Sequence, residues 1–351
     1  MPRITLDELL DPKYRVPELT LLLDGDIYAH RASAVTDGRM YQVGKSLFRY
    51  DKDVKKYCKE KGIDLKEIET IYQPEPFRHC TGALKLMLQG IETSLLHKAP
   101  VINWKIFLTF SDRGNFRNSI LPHYKWNRLG VGEVIRRCNG DEEKARTILR
   151  MKPETFEKNK GVVPRRPEHL DRTKEYLLKK HDAIAIDLYE ADDLIGLEAD
   201  RYRRAGQEVV IVSIDKDLDC IPGVHYNSVR DEVYIVTPEQ AMKHFYYQVI
   251  VGDTTDNIPG APGFGEKKAK AIVNDCEGLS QHDLYLKALK AWETGTKDDT
   301  GCAQDQMIAS AKCLWILQDS TAKTLKEQIW QPPITREYPE EDDAIQETRD
   351  Q

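Results

Sequence analysis

Short, mainly apolar runs alternate with amphipathic segments along the first two thirds of the chain. The apolar runs are typical of strands buried on both faces, and the 3.6-residue periodicity between them indicates helices. Strands are predicted over 20–24, 101–110, 183–188, 208–214, 226–229 and 232–236, and helices over 26–35, 83–97, 133–137, 141–151, 167–181 and 191–204. This alternation predicts an α/β fold with a mostly parallel central sheet flanked by helices. Ligands of such sheets bind at the carboxyl ends of the strands.

Two regions depart from this alternation. Residues 36–76 contain a predicted hairpin around Gly44 and a predicted helix over 51–61, and we interpret them as an insertion without assignable chemistry. From Pro238 onward the pattern is helical, and the acidic tail after Pro333 is predicted to be disordered.

Composition excludes several classes of protein. Of the 351 residues, 31% are charged and 40% are hydrophobic, and no apolar run approaches the roughly 20 residues that span a bilayer. The first residues lack the apolar centre of a signal peptide. Seven scattered cysteines without a CxxC pair indicate reduced thiols in the cytoplasm. We therefore expect a globular cytoplasmic protein that has no membrane partner.

The net charge of −6 hides an uneven distribution. Residues 335–351 have a net charge of −5, whereas residues 113–180 hold eighteen Lys and Arg against nine Asp and Glu. A basic segment of this size can bind phosphates. Charge alone favours a solvated helical face.

Carboxylates recur where predicted strands end. They are Asp24, Asp112, Glu190, Asp192, Asp193, Asp215 and Asp217, with a further pair, Asp253 and Asp256, before a glycine-rich turn. Crowded carboxylates repel one another unless cations neutralise them, and oxygen ligands suit Mg²⁺ or Mn²⁺. The arrangement therefore predicts metal-assisted phosphoryl transfer.

Each carboxylate cluster also has a simpler explanation. Acids at 190–193 complement the dipole of the helix that they open. Asp215 and Asp217 would face one side of an extended backbone, but they also suit an ordinary turn. We assign Asp24 as a ligand, Asp26 as a helix cap and Asp219 as a surface residue.

Two further segments predict contacts with nucleic acid. Gly263 and Gly265 precede a predicted helix whose amino terminus, with Lys267, Lys268 and Lys270, can hold a phosphate. Arg113, Arg117, Tyr124, Lys125 and Arg128 place bases and an aromatic ring close to Asp112. For the neighbouring Trp126, core packing is the favoured interpretation.

Together these residues resemble the 5′–3′ exonuclease and flap endonuclease family, especially its free-standing bacteriophage members. The matching stretches are LLLDGD, FSDRGNFRNSILPHYKWNR, YEADDLIG, VSIDKDLDCIPG and GDTTDNIPGAPGFGEKKA, which occur in family order over most of residues 19–275. Residues 304–317 are also similar to the phage branch.

The resemblance implies a fold and its domains. It implies a PIN-like nuclease α/β domain over 1–236, with an insertion at 36–76 and a helical arch region at 113–166. A helical region with a helix–three-turn–helix DNA-binding element follows over 237–333, and an acidic tail over 334–351.

The resemblance also implies the roles of the site residues. All nine carboxylates above match metal positions, with the relative weight of Asp253 and Asp256 left open. Lys125 matches a lysine that approaches the scissile phosphate, and Arg128 lies near it. Gly263 and Gly265 match a hairpin that grips duplex backbone, often with a bound K⁺.

We therefore expect hydrolysis of phosphodiesters near a 5′ end in DNA replication, with two Mg²⁺ ions about 4 Å apart that Mn²⁺ can replace. The expected substrate is DNA with a 5′ end, flap or nick, and an RNA–DNA primer hybrid is a further one, bound by a monomer. A longer arch than in typical phage members leaves the balance of exonuclease and endonuclease open. The alternatives are a related PIN-type ribonuclease, which leaves the glycine hairpin unexplained, and a non-catalytic DNA-binding protein, which leaves the complete acid set unexplained.

Overall fold

The structure is a computed structural model that describes residues 18–96, 99–110, 114–274, 278, 280–296 and 302–333. Its strands are β1 (Glu18–Asp24), β2 (Arg39–Val43), β3 (Ser46–Phe48), β4 (Glu69–Tyr72), β5 (Val101–Phe107), β6 (Val209–Val212), β7 (Gly223–Asn227) and β8 (Glu232–Val236).

Helices surround these strands. In chain order they are α1 (Gly25–Val35), α2 (Asp51–Lys61), α3 (Phe77–Leu95), α4 (Arg117–Ile120), α5 (Val131–Arg137), α6 (Glu142–Leu149), α7 (Pro153–Asn159), α8 (Leu170–Lys180), α9 (Ala191–Arg204), α10 (Pro238–Val251), α11 (Glu266–Asn274), α12 (Gln281–Thr296), α13 (Cys302–Leu314) and α14 (Leu325–Gln328).

The central sheet has the strand order β5-β1-β6-β7-β8. The first four strands are parallel, and β8 pairs with β7 in the antiparallel sense. The carboxyl ends of β1, β5, β6 and β7 therefore meet at one edge of the sheet. This confirms the predicted mostly parallel α/β fold.

Two apolar cores cover the two faces of this sheet. Alternate residues of β1 divide between them, so that Leu22 packs with the cluster on one face and Leu21 and Leu23 with the cluster on the other. The Leu22 cluster continues through α10, α12 and α13 as far as Trp330. The helices after residue 237 thus share a core with the sheet, and the division into two domains at that point stays a prediction.

The predicted insertion forms a small separate module. Strands β2, β3 and β4 make an antiparallel sheet in the order β3-β2-β4, and α2 packs on it through Val54 and Cys58. The predicted hairpin at Gly44 and the helix at 51–61 are confirmed. Strand β4 escaped prediction because its four residues, ETIY, are too few to show an alternating pattern.

The predicted strand at 183–188 is wrong. This stretch makes only isolated bridges, from Ile184 to Phe107 and from Leu188 to Asn115. Leu188 adopts a positive φ of 73°, which breaks the extended conformation, and its side chain is exposed.

Two more observations bear on the predictions from composition. None of the helices in the described part of the chain is both long and apolar enough to cross a membrane. The six cysteines within the described residues are all free thiols.

Candidate active site

Asp24 lies at the end of β1 and caps α1. Its Oδ1 accepts a hydrogen bond from the Ile27 amide at 3.3 Å, and its side chain is 3% exposed. The helix starts immediately because Gly25 has no side chain, since a Cβ there would lie 2.7 Å from the Phe107 carbonyl oxygen. The prediction that Asp26 caps this helix is wrong: Asp26 accepts from the Thr109 amide and pairs with a lysine of α8.

Ser213 joins the ends of β1 and β6. Its hydroxyl donates to Asp24 Oδ2 at 3.2 Å and accepts from the Asp215 amide at 3.0 Å. Asp215 then caps a single 3₁₀ turn, Lys216–Cys220, by accepting from the Asp217 amide. The expected extended backbone is confirmed at Asp215 but is wrong at Asp217, which lies within the 3₁₀ turn.

Gln248 of α10 orients Asp217. Its Nε2 donates to Asp217 Oδ1 at 2.7 Å, while its Oε1 accepts from the Cys220 thiol. Sequence reasoning missed Gln248, because nothing in the sequence relates a glutamine of a distant helix to Asp217. It also missed Ser213, although a serine two residues before an aspartate is a recognisable turn signal.

Asp193 is a structural residue of α9. Its Oδ1 and Oδ2 accept from the two terminal nitrogens of Arg117 at 2.8 and 2.7 Å, and further bonds come from the amides of Glu190 and Leu317. Its exposed fraction is 0%. We therefore correct the prediction that Asp193 binds metal, since both of its oxygens already serve a buried ion pair.

Arg117 is likewise unable to contact DNA. It is 3% exposed, and its remaining hydrogen bonds go to the carbonyls of Cys313 and Trp315. Burial alone would lower its pKa, but Asp193 raises the pKa well above its ordinary value. The pair fastens the first turn of α9, which carries Glu190 and Asp192, to the segment that follows α13.

Glu190 and Asp256 share a set of cationic partners. Lys125 Nζ pairs with Glu190 and lies 3.5 Å from Asp256, and Arg128 pairs with Asp256. Tyr124 is buried and its hydroxyl donates to both carboxylates, at 3.0 and 3.1 Å. The prediction that Tyr124 contacts DNA is therefore corrected: its ring packs in the core and its hydroxyl orients acids.

The backbone holds Lys125 close to Asp256. Lys125 has a positive φ of 61°, and its amide donates to the Asp256 carbonyl at 2.8 Å. Asn257 Nδ2 donates to the His123 carbonyl at 2.9 Å, so the two segments contact each other at two points. A non-glycine residue in this strained conformation is typical of a functional position.

Asp24 and Asp192 form no ion pair with a cation of the described residues, and both disfavour ionisation. Burial and the charges of Asp26 and Asp215 raise the pKa of Asp24 to about 7. Burial and the charges of Asp24 and Asp215 raise the pKa of Asp192 well above its usual range. Three segments of chain thus bring their acids within electrostatic reach of one another.

Two carboxylates nearer to α10, Asp217 and Asp253, also disfavour ionisation. Burial and the charges of Asp215 and Asp253 raise the pKa of Asp217 to about 7, and burial and Asp256 raise the pKa of Asp253. Glu190 behaves in the opposite way: burial favours its neutral form, but Lys125 and Arg117 lower its pKa to about 2.

The chemistry of these donors fits a hard divalent cation. Half-buried carboxylates with raised pKa values are stabilised in their ionised form by a nearby positive charge. Within the described ranges no three of these side chains enclose a metal ion as they stand. Lys125 and Arg128 neutralise two of the acids, and Asp112 and Arg113 lie outside the described residues.

The glycine hairpin lies between α10 and α11. Gly263 has a positive φ of 78°, and a Cβ at Gly263 or Gly265 would meet open space, so the backbone there is accessible. Lys268 donates to the Gly263 carbonyl at 2.9 Å, and Lys267 and Lys270 are exposed nearby. This segment offers backbone groups and cations on one surface.

Comparison with known proteins identifies the family of the chain. A family model described as the 5′–3′ exonuclease, N-terminal resolvase-like domain matches residues 72–246. The chain belongs to the 5′–3′ exonuclease family. Within this family it is 30% identical to DNA polymerase I of Bacillus subtilis over 191 residues, which is 47% of this chain and 21% of that protein.

A second relative is a 5′–3′ exonuclease of Aquifex aeolicus, 30% identical over 152 residues, which is 40% of this chain and 50% of that protein. The matches thus span between 12% and half of the length of these curated relatives. Among solved structures, a T5 5′-exonuclease with bound zinc has 15% identity and a TM-score of 0.48, and the match covers 85% of this chain and 89% of that one.

Proposed function

We propose that this chain is a divalent-metal-dependent nuclease that hydrolyses DNA phosphodiesters near a 5′ end, as a 5′–3′ exonuclease and as a flap endonuclease. The observation that carries the proposal is the gathering of carboxylates from separate segments at the carboxyl edge of a parallel sheet, with Lys125 among them. Membership in the 5′–3′ exonuclease family supports the same activity.

The metal ligands that we propose are the predicted carboxylates other than Asp193, whose two oxygens bind Arg117. They are Asp24, Glu190, Asp192, Asp215, Asp217, Asp253 and Asp256, with Asp112 as a further candidate. When bound, two Mg²⁺ ions, or Mn²⁺ in their place, would supply an activated water and would neutralise charge on the phosphate. Ser213 and Gln248 would hold Asp24 and Asp217 in fixed orientations while the substrate changes.

Lys125 has two successive roles in this proposal. Without metal it neutralises Glu190, and its ion pair keeps that carboxylate ionised. With Glu190 and Asp256 holding a divalent cation, the Lys125 ammonium group would be free to bind the scissile phosphate. It would stabilise the charge that develops on the phosphate oxygens in the transition state. Arg128, paired with Asp256 and more exposed, would bind the adjacent phosphate.

The substrate contacts follow from the distribution of charge. Basic residues of segment 113–180 would guide a single strand, and Gly263, Gly265, Lys267, Lys268 and Lys270 would hold the duplex, with K⁺ as a candidate ion at the hairpin. RNA–DNA primer hybrids are a second proposed substrate. We place the monomeric protein in the cytoplasm, where its free thiols stay reduced.

Product mapping tests the activity directly. Flap, nicked and RNA-primed duplexes labelled at either end would be incubated with Mg²⁺ or with a chelator. We expect metal-dependent products whose lengths place the cut within a few nucleotides of the 5′ end or the flap junction. Cleavage that persists in chelator, or that starts only from 3′ ends, would contradict the proposal.

The Lys125→Ala variant separates catalysis from substrate binding. Removal of a group that stabilises developing charge costs about 10²–10³ in turnover. We expect this loss in single-turnover rate with little change in DNA affinity measured in Ca²⁺. An affinity loss without a rate loss would make Lys125 a binding residue instead.

A further inference from the structure

The surface of α2 carries a stripe of lysines. At 3.6 residues per turn, Lys52, Lys55, Lys56 and Lys59 fall within an arc of about 100°. All four are exposed, whereas Val54 and Cys58 on the opposite side pack on the small sheet. We call these four residues the lysine face.

The four lysines of this face repel one another. Neighbours three and four residues apart on a helix interact, and like charges at these spacings destabilise the helix. The four lysines make four such pairs. Asp51 and Glu60 offset only part of this repulsion, through contacts at 2.6 Å with Lys55 and 3.9 Å with Lys56. For Lys52 and Lys59, the described residues provide no carboxylate within 4 Å.

The positive charge extends beyond the helix. Residues 39–61 hold eight Lys and Arg against three Asp and Glu, in a chain whose net charge is −6. Lys45, Arg49 and Tyr50 are exposed close to the start of α2. Local charge of this sign in an acidic protein is complementary to a polyanion.

The two ends of the module, which comprises residues 36–76, are held together by backbone hydrogen bonds. Residues 36–38 pair with residues 73–75 through bonds from the Gln73 amide to the Gly38 carbonyl at 3.0 Å and from the Glu75 amide to the Thr36 carbonyl at 2.9 Å. These two segments pack so closely at Gly38 that a Cβ there would lie 1.9 Å from the Gln73 carbonyl oxygen. We call these paired residues the stem.

The stem contacts the basic segment 113–180 through Asp37. Asp37, 5% exposed, forms a two-pronged ion pair with Arg165, at 3.0 and 3.1 Å, and accepts from the Glu168 amide at 2.9 Å. The Arg165 guanidinium also lies over the Tyr72 ring at 3.9 Å. The module therefore keeps a fixed position beside the segment that we propose to guide the nucleic acid.

From these observations we infer that the lysine face is a second binding surface for the phosphate backbone of the nucleic-acid substrate, separate from the carboxylate edge. The inference rests on the proposed function, because it assigns the polyanion to that substrate. Exposed lysines on a rigid mount hold phosphates without reading bases. The surface thus adds affinity and leaves the chemical step unchanged.

A quadruple variant tests the lysine face. Lys52, Lys55, Lys56 and Lys59 are replaced by Gln, and the control carries Gln at the exposed Lys66, Lys85, Lys290 and Lys323, so that both proteins lose the same charge. Affinity for a fluorescent 5′-flap duplex is measured in Ca²⁺ over a series of salt concentrations. Each lysine that neutralises one phosphate contributes about 0.9 to the slope of log K against log salt.

We expect the test variant to lose about 2–4 in slope and the control to lose less than 1, with single-turnover cleavage at saturating enzyme unchanged in both. Equal slopes in the two variants would overturn the inference. If the unmodified protein fails to bind the flap duplex, the proposed function fails instead. Thermal unfolding of each variant checks that it folds, and the pairs Lys52 with Lys59 and Lys55 with Lys56 give partial variants that should each lose about half of the effect.

Discussion

The Asp24→Asn substitution should make the metal-free protein more stable. Asp24 is buried beside other acids, and these neighbours together with burial raise its pKa to about 7. Asparagine keeps the shape of the side chain. Its Oδ1 can still accept from the Ile27 amide, and its Nδ2 can donate to the Ser213 hydroxyl. The substitution therefore removes the charge and preserves the cap.

The magnitude follows from the difference between the folded and unfolded states. An aspartate in an unfolded chain has a pKa of about 3.9, so the shift is about three units, at roughly 1.4 kcal/mol each. Because the folded pKa is the higher one, ionisation of Asp24 destabilises the fold progressively from about pH 4 up to about pH 7. Allowing for relaxation around the charge, we expect the variant to gain about 2–4 kcal/mol at pH 8 and nothing at pH 4.

Urea unfolding in chelator, followed by circular dichroism from pH 4 to pH 8, measures this gain. The same titration with Mg²⁺ should reverse its sign, since a cation that binds only the folded state stabilises the unmodified protein more than the variant. A variant that is less stable than the unmodified protein in chelator at pH 8 would refute the electrostatic reasoning. An unchanged difference on addition of Mg²⁺ would refute the role of Asp24 in metal binding.

Two further substitutions probe the framework of the site. Asp193→Asn leaves Arg117 buried without its partner and should cost about 3–5 kcal/mol of unfolding free energy together with most of the cleavage activity. The matched control is Asp200→Asn, which weakens the contact of the same helix with Ser320. This control should lower stability but retain activity per folded molecule. Equal specific activities of the two variants would show that the Arg117 pair does not position the site. Gly260→Ala should lower the melting temperature and slow cleavage, because a Cβ there would lie 2.2 Å from backbone atoms of Val251; a melting temperature unchanged within 1 °C would contradict the close packing of this turn.

Much of the fold was predictable because its signals are local. The runs at β1, β5 and β6 are mainly apolar, and the amphipathic pattern of α9 has clear ends, so these elements were placed within a few residues. The stretch at 183–188 has a similar apolar pattern but lacks hydrogen-bonding neighbours over its length. Strand formation there depends on tertiary pairing, which composition does not reveal.

The sequence predicted which residues belong to the site better than it predicted what each of them does. Strand ends at one edge of a parallel sheet must meet, which placed Asp24 and Asp215 together. The partner that each acid finds depends on contacts between distant segments. Asp193 faces Arg117 and is buried, although it is the immediate neighbour of Asp192 in the sequence.

Single-turnover cleavage by the Asp215→Asn variant tests most directly whether the carboxylate edge performs metal-dependent hydrolysis. The matched control is Asp219→Asn, because Asp219 accepts from the Tyr234 hydroxyl away from the cluster. On an end-labelled 5′-flap duplex with Mg²⁺, we expect Asp215→Asn to lose at least about 100-fold in rate, as for other residues that stabilise charge at the reacting centre. We expect Asp219→Asn to retain nearly the full rate. Near-normal turnover by Asp215→Asn, with the same dependence on Mg²⁺ as the unmodified protein, would contradict the assignment of this edge as the catalytic metal site.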